Sequence, residues 1–183
     1  MKQADRKLIK YLASHGHWTP FGHVQLQFRI AAPVFVARQL GKHQVGLVWN
    51  EVSRRYVDTD VSFYTPEDWR KRADNRKQGS SDEVLEINDD LFKDYQKLLE
   101  ASKLMYDKLL EKEVAPEQAR MVLPQSMMTE WIWTGSLPAF ARVVKLRDHA
   151  DAQKECADIA KSISNEVEKT EDLSCSWNAL IGK

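Results

Sequence analysis

Pro33-Val34-Phe35-Val36-Ala37-Arg38-Gln39-Leu40-Gly41-Lys42-His43-Gln44 and, five residues on, Asn50-Glu51-Val52-Ser53-Arg54-Arg55-Tyr56 decide how this chain is read. Proline suits a helix's first position, so Pro33 opens a helix that runs into Arg38, Gln39 and Leu40. From Arg38 to Tyr56, nineteen positions hold cations, a histidine, amides, a carboxylate and a hydroxyl. That mixture suits an anionic ligand rich in hydrogen-bonding groups better than it suits a core. Residues 51–63 read as strand-like or extended.

Working outward, residues 3–14 carry Leu8, Ile9, Leu12 and Ala13 at helical spacing, and Gly16 ends that helix. Residues 17–23 read as a turn or loop. Val24, Leu26 and Phe28 alternate with Gln25, Gln27 and Arg29, the period of a half-buried strand. Thr65 and Pro66 look like an N-cap and first position, predicting a helix start. Residues 69–82 are basic and end in Gly79-Ser80-Ser81. They read as a mobile loop, either a solvated surface or a ligand channel.

The clearest helix covers residues 89–112. Asn88 stands as its cap, and Leu91, Tyr95, Leu98, Leu99, Met105, Leu109 and Leu110 form its apolar face, for core or subunit interface. A short helix from Pro116 should end near Pro124. Met127 to Thr134 reads as a strand. Ser136 caps a helix over 137–146, and another covers about 150–167. The pattern predicts one α+β domain spanning 1–183, its long central helix packed against a mainly antiparallel sheet.

Bulk properties narrow the function. Lys+Arg 27 balance Asp+Glu 27, without the basic excess of a general nucleic-acid binder. No run approaches the ~20 apolar residues of a membrane span, and the N-terminus has no apolar signal region. We expect a cytoplasmic protein with no nucleic-acid or membrane partner. Cys156 and Cys175 have neither CxxC spacing nor a nearby histidine pair, so they read as free thiols and no metal site is expected.

Two separated blocks resemble flavin-dependent thymidylate synthases. The first contains Gly16-His17-Trp18-Thr19-Pro20-Phe21-Gly22-His23, then the stretch quoted above. The second runs from Ala119-Arg120-Met121-Val122-Leu123-Pro124 to Leu146-Arg147 and on through Ala152-Gln153. The resemblance implies that family's own α+β fold, assembled as a homotetramer with FAD at subunit interfaces. It also implies reductive methylation of dUMP to dTMP. Methylenetetrahydrofolate would give the carbon, and NADPH would reduce the flavin.

Carried over residue by residue, the dUMP site falls on Gln39, Leu40, Lys42, Glu51, Val52, Ser53, Arg54, Arg55, Arg120 and Arg147. Ser53 and Arg55 suit a phosphate. Arg147, the expected catalytic residue, would stabilise charge on the uracil ring. Glu51 is expected to orient arginine or ribose groups. The flavin site falls on His17, Thr19, Lys42, His43, Gln44, Asn50, Glu51, Ser136 and Arg142, with His23 structural. Neither cysteine lies at a position that implies a thiolate nucleophile.

The chain departs from the family where arginine-histidine-arginine becomes Lys42-His43-Gln44 and the following spacer gains a residue. Lysine keeps charge without the planar fork, and Gln44 loses charge. Arg142 either compensates for Gln44 or is a solvated helix arginine. About thirty residues of an N-terminal strand segment are expected to be missing on a typical-domain scale, as in compact, phage-type members, which would act in a host cytoplasm. A catalytically impaired flavin- or nucleotide-binding homologue is the alternative. An interaction module built on the 89–112 helix ranks last.

Overall fold

The computed structural model describes residues 2–74, 79–149 and 151–183. In chain order the elements are α1 (Gln3–Ser14), α2 (Thr19–Gly22), β1 (Gln25–Pro33), α3 (Val34–Leu40), β2 (Leu47–Glu51), β3 (Arg70–Arg72) and β4 (Ser80–Val84). There follow α4 (Asp89–Glu111), α5 (Pro116–Ala119), a 3-10 turn (Arg120–Val122), β5 (Met128–Ser136), α6 (Leu137–Arg147), α7 (Lys154–Glu168) and α8 (Glu171–Ile181). This is an α+β architecture. Among the described residues no helix is long and apolar enough to cross a membrane.

Alternation along three strands builds the framework. β5 lies between β1 and β2, antiparallel to both. The register sets Phe28 and Trp49 on either side of Trp133, and Leu26 and Leu47 on either side of Gly135. With a side-chain period of two, all of these point to one face. Trp49 stacks on Trp131, ring centroids 4.2 Å apart and planes 18° from parallel. Phe140 of α6 meets Phe28 and Trp133 edge-to-face at 5.0 and 5.3 Å. Such geometry adds to what aromatic burial already contributes. Trp131, Trp133, Phe140 and Leu40 are fully buried, and α7 and α8 close the layer with Cys156, Ile163 and Trp177.

Gly135 permits the closest approach in the sheet. A Cβ there would overlap the Gly46 carbonyl oxygen and come within 2.5 Å of Leu47 Cδ2 and 3.3 Å of Leu47 Cα. Gly46 itself takes φ +74°, a conformation that side chains disfavour. Together they let the 42–46 loop fold tightly onto the end of β5.

Several sequence expectations change. Residues 65–68 form no helix. Phe63 pairs with Met127, and the Tyr64 N–H donates to the Ser126 carbonyl at 2.8 Å, so this chain is drawn out beside the segment leading into β5. The expected loop over 69–82 contains the β3–β4 hairpin, with Arg76-Lys77-Gln78 outside the described residues. Arg70 joins it to α7 through Glu155 at 2.5 Å, both side chains largely buried. Burial pushes the Glu155 carboxyl up, but the Arg70 hydrogen bond and charge outweigh it and hold it below the usual range. The helix expected over 150–167 begins at Lys154, and α8 follows it.

Asn88 caps α4 as expected, accepting from Leu91 N at 2.9 Å. The helix packs through Leu99 and Tyr106 into a second, smaller core with Val61 and Ala119. Leu91, Leu98 and Met105 stay exposed.

Gly135→Ala forces backbone apart at the β5–β2 contact. We expect a loss of about 1–3 kcal/mol, the range for overpacking. For a chain this size that lowers Tm by roughly 3–10 °C, read by thermal melting followed by circular dichroism.

Candidate functional site

The inward row of β5, Gly135-Trp133-Trp131, ends at Thr129, and that of β2, Leu47-Trp49, ends at Glu51. There the apolar face gives way to a cleft of about 640 Å³. Arg38, Glu51, Ser53, Arg54, Arg55 and Arg120 all line it. Glu51 is held at both carboxylate oxygens: Thr129 Oγ1 donates at 2.8 Å and Trp49 Nε1 at 3.2 Å. Ser53 Oγ accepts from the backbone N–H and the Nε of Arg55, each at 3.3 Å. Arg55 then lies over the Tyr56 ring, 5.2 Å from its centroid.

Arg54 does different work. Its guanidinium donates to the carbonyls of Thr59, Val57 and Asp60, the last at 3.3 Å. It thereby braces a loop in which Asp60 adopts φ 55°. Arg38, Arg55 and Arg120 are exposed around the single carboxylate of Glu51. Three solvent-facing guanidinium groups beside one carboxylate suit a phosphate monoester carrying a hydroxyl-bearing sugar. The sequence places Arg38 in the ligand-suited stretch but not in the carried-over dUMP set, and gives no sign of Thr129. Arg38 lies one turn after Val34 on α3, and that spacing was the available signal.

A second cluster gathers behind the loop. Arg147, at the end of α6, donates from Nε to Nε2 of His43 at 2.8 Å. Burial, reinforced by the Arg147 charge, holds the His43 imidazole below its ordinary range, so the neutral ring accepts this bond. Gln39 Oε1 accepts from the Cys156 thiol at 3.0 Å. Burial pushes that thiol up to about 11, which removes it as a thiolate nucleophile near neutrality. The Leu40 side chain is fully buried in the core, so only its backbone could meet a polar ligand.

The remaining residues are exposed or half-exposed. Lys42, Gln44 and Asn50 are exposed. Arg142 donates to the Val45 carbonyl at 2.7 Å. Ser136 stands before α6 but makes no capping bond through its hydroxyl. A Cβ on Gly46 would lie 3.7 Å from both Arg142 and Ser136 side chains, so these groups are contiguous with the loop. Thr19 opens α2, and His17 stacks near Tyr11 with ring centroids 6.4 Å apart. Val52 is partly exposed, its N–H donating to Glu130. By their chemistry these donors fit a phosphate-bearing cofactor with a polar ring edge. Among the described residues no group of three or more His, Cys, Asp or Glu could hold a metal ion.

The chain is similar to several known proteins. The family described as thymidylate synthase complementing protein matches residues 1–171. A flavin-dependent thymidylate synthase of Thermosipho africanus is 36% identical over 180 residues, 96% of this chain and 75% of that protein. One from Thermus thermophilus is 38% identical over 176 residues, 96% of this chain and 63% of that protein. The crystal structure of a UMP/dUMP methylase from Streptomyces cacaoi bound with 5-Br dUMP superposes with TM-score 0.83 at 27% identity, covering 100% of this chain and 82% of that one. Its complex with 5-Br UMP gives 0.84 at 26% identity, covering 99% and 84%. Matched along nearly its whole length, the chain belongs to the thymidylate synthase complementing protein family, that of the flavin-dependent thymidylate synthases.

Proposed function

We propose that this protein is a flavin-dependent thymidylate synthase, methylating dUMP to dTMP with FAD as cofactor and methylenetetrahydrofolate and NADPH as co-substrates. The observation that carries this reading is the cleft holding Arg38, Ser53, Arg55 and Arg120 around a pinned Glu51. Its groups suit the phosphate and sugar of a nucleoside monophosphate. Arg147 would serve the base. Its Nε is taken by His43, which leaves the Nη groups for a ligand on this reading. A guanidinium fixed in this way needs no reorganisation when negative charge builds on a pyrimidine ring.

Bound against Lys42, His43, Gln44, Asn50 and Arg142, the flavin would supply the hydride. Arg142 holds the loop that presents His43 and Gln44, so its charge serves that loop's shape as well as any anion. The open flavin wall fits a second copy completing the site, as in a homotetramer. The protein would act in the cytoplasm.

The test is direct. We expect purified protein to show a flavin absorbance band. It should convert dUMP to dTMP with methylenetetrahydrofolate and oxidise NADPH in step. Protein that neither binds added FAD nor consumes NADPH would refute the reading. The neutral Gln44 favours one alternative, an impaired homologue, which would bind FAD and dUMP without forming dTMP.

Two further outcomes follow. Arg147→Ala should lower kcat/KM by about 2.7–4 kcal/mol, the scale of losing one preorganised donor, while FAD binding persists. Normal turnover would remove Arg147 from the chemistry. The second concerns pH. The His43 pKa lies below its ordinary value of 6.5 in the folded protein, so the unfolded chain takes up the proton first on acidification. The contribution of His43 is therefore complete above 6.5 and is lost as pH falls through its lowered value. The Tm of wild type should drop more steeply than that of His43→Gln below pH 6.5. Parallel profiles would exclude His43 as the titrating group.

A further inference from the structure

A carboxylate that shares a cleft with guanidinium groups competes with any incoming anion for their N–H donors. Glu51 shares its cleft with Arg38, Arg55 and Arg120, and all four residues are exposed. Among the described residues, none of these arginines forms an ion pair with Glu51. The charges are held apart by other contacts. Ser53 Oγ accepts from Arg55 Nε at 3.3 Å, and Arg55 lies over the Tyr56 ring. Arg120 Nε donates to the Glu117 carbonyl at 3.3 Å. Arg54, which also lines the cleft, is committed to carbonyls of its own loop. Glu51 receives Thr129 Oγ1 at 2.8 Å on Oε1 and Trp49 Nε1 at 3.2 Å on Oε2.

The sense of the last two bonds is fixed by chemistry. A carboxylate only accepts, so the Thr129 hydroxyl and the Trp49 indole are the donors. Both donors belong to the framework. Thr129 lies on β5, two residues before Trp131, the strand partner of Glu51. The Trp49 ring is stacked on Trp131.

We propose that Thr129 is a positioning residue that keeps Glu51 from pairing with the arginines of the cleft, leaving their guanidinium groups for a phosphate monoester. This rests on the reading of the cleft as a nucleoside monophosphate site. With the hydroxyl in place, both Glu51 oxygens are satisfied from the strands. Without it, Oε1 loses its donor, and the guanidinium groups of the same cleft are the strongest donors it can turn to. Carboxylate and phosphate then compete for one set of N–H groups. Thr129 acts on the anion through Glu51 and needs no contact with it.

The experiment is a double-mutant cycle, read as dUMP affinity by titration calorimetry on the full-length protein with FAD present. Wild type, Thr129→Val, Thr129→Ser, Glu51→Gln and the Glu51→Gln/Thr129→Val double variant are compared after melting curves show each is folded. Thr129→Ala replaces the valine variant if that one fails to fold. We expect Thr129→Val to weaken dUMP binding by about two- to fivefold, the scale of one exposed ion pair. Thr129→Ser keeps the O–H donor and should retain wild-type affinity. In the Glu51→Gln background, where no charge remains to compete, Thr129→Val should change nothing. Unchanged affinity in Thr129→Val overturns the proposal and spares the proposed function. So does equal weakening in both backgrounds, which makes the effect one of cleft shape or direct contact, and so does a serine variant as weak as valine. Wild type that binds neither dUMP nor inorganic phosphate removes both readings. Wild type that binds inorganic phosphate but not dUMP removes the proposed function alone, and the same cycle read with inorganic phosphate decides the role of Thr129.

Discussion

Stacking of Trp49 on Trp131, with Trp133 edgewise against Trp49 and Phe140 edgewise against Trp133, is the contact on which this molecule depends. It ties β2 to β5, and β5 to the helical layer, through rings too large to be repacked by small shifts. The glycine beside it, Gly135, is the necessary gap. Bulky rings hold the strands together at one end, and the missing side chain brings Gly46 and Leu47 close at the other. The 42–46 loop is thus carried on rigid strands, although its own side chains are mostly exposed.

The same sheet sorts the polar groups. Glu51 and Thr129 sit where the inward rows run out of aromatic residues, so a carboxylate emerges at the rim of the core with both oxygens already held. On the other side of α3, His43 and Arg147 meet in a half-buried setting where an imidazole is more useful neutral than charged. Exposed guanidinium groups line the open cleft, whereas the His43–Arg147 pair lies in partial burial, where weaker solvent screening makes each charge count for more.

Much of this was legible in the sequence because it rests on local signals. Period two marked β1, apolar and aromatic composition marked β5, Asn88 marked the start of α4, and Pro33 marked α3. The misses have physical reasons. Thr65 and Pro66 offer a helix start, but no apolar period follows them, and pairing with Ser126 and Met127 holds the chain extended. β2 hid inside what read as a lengthened spacer, since strand pairing is a long-range property. α8 holds Ser174, Ser176 and Asn178, weak helix formers, and is helical because Trp177 buries its ring and donates to Ser164 at 3.0 Å. On α4 the apolar stripe was visible, but which part would be buried was not. Leu99 and Tyr106 are inside, while Leu98 and Met105 are outside. In the site, residue types pointed to chemistry, whereas the pairings His43–Arg147 and Gln39–Cys156 span 104 and 117 positions and needed the fold.

The largely buried Arg70–Glu155 pair has an evolutionary consequence. Removing one partner alone strands a charge away from water, which is far costlier than replacing both with well-packed apolar groups. The two positions are therefore not independent in descent. Single substitutions at either are penalised, and a neutral route passes only through a joint change. Because Glu155 precedes Cys156 on α7, drift in the hairpin is bound to the helix that carries the thiol behind Gln39. A peripheral hairpin is in this way kept in step with the interior of the site.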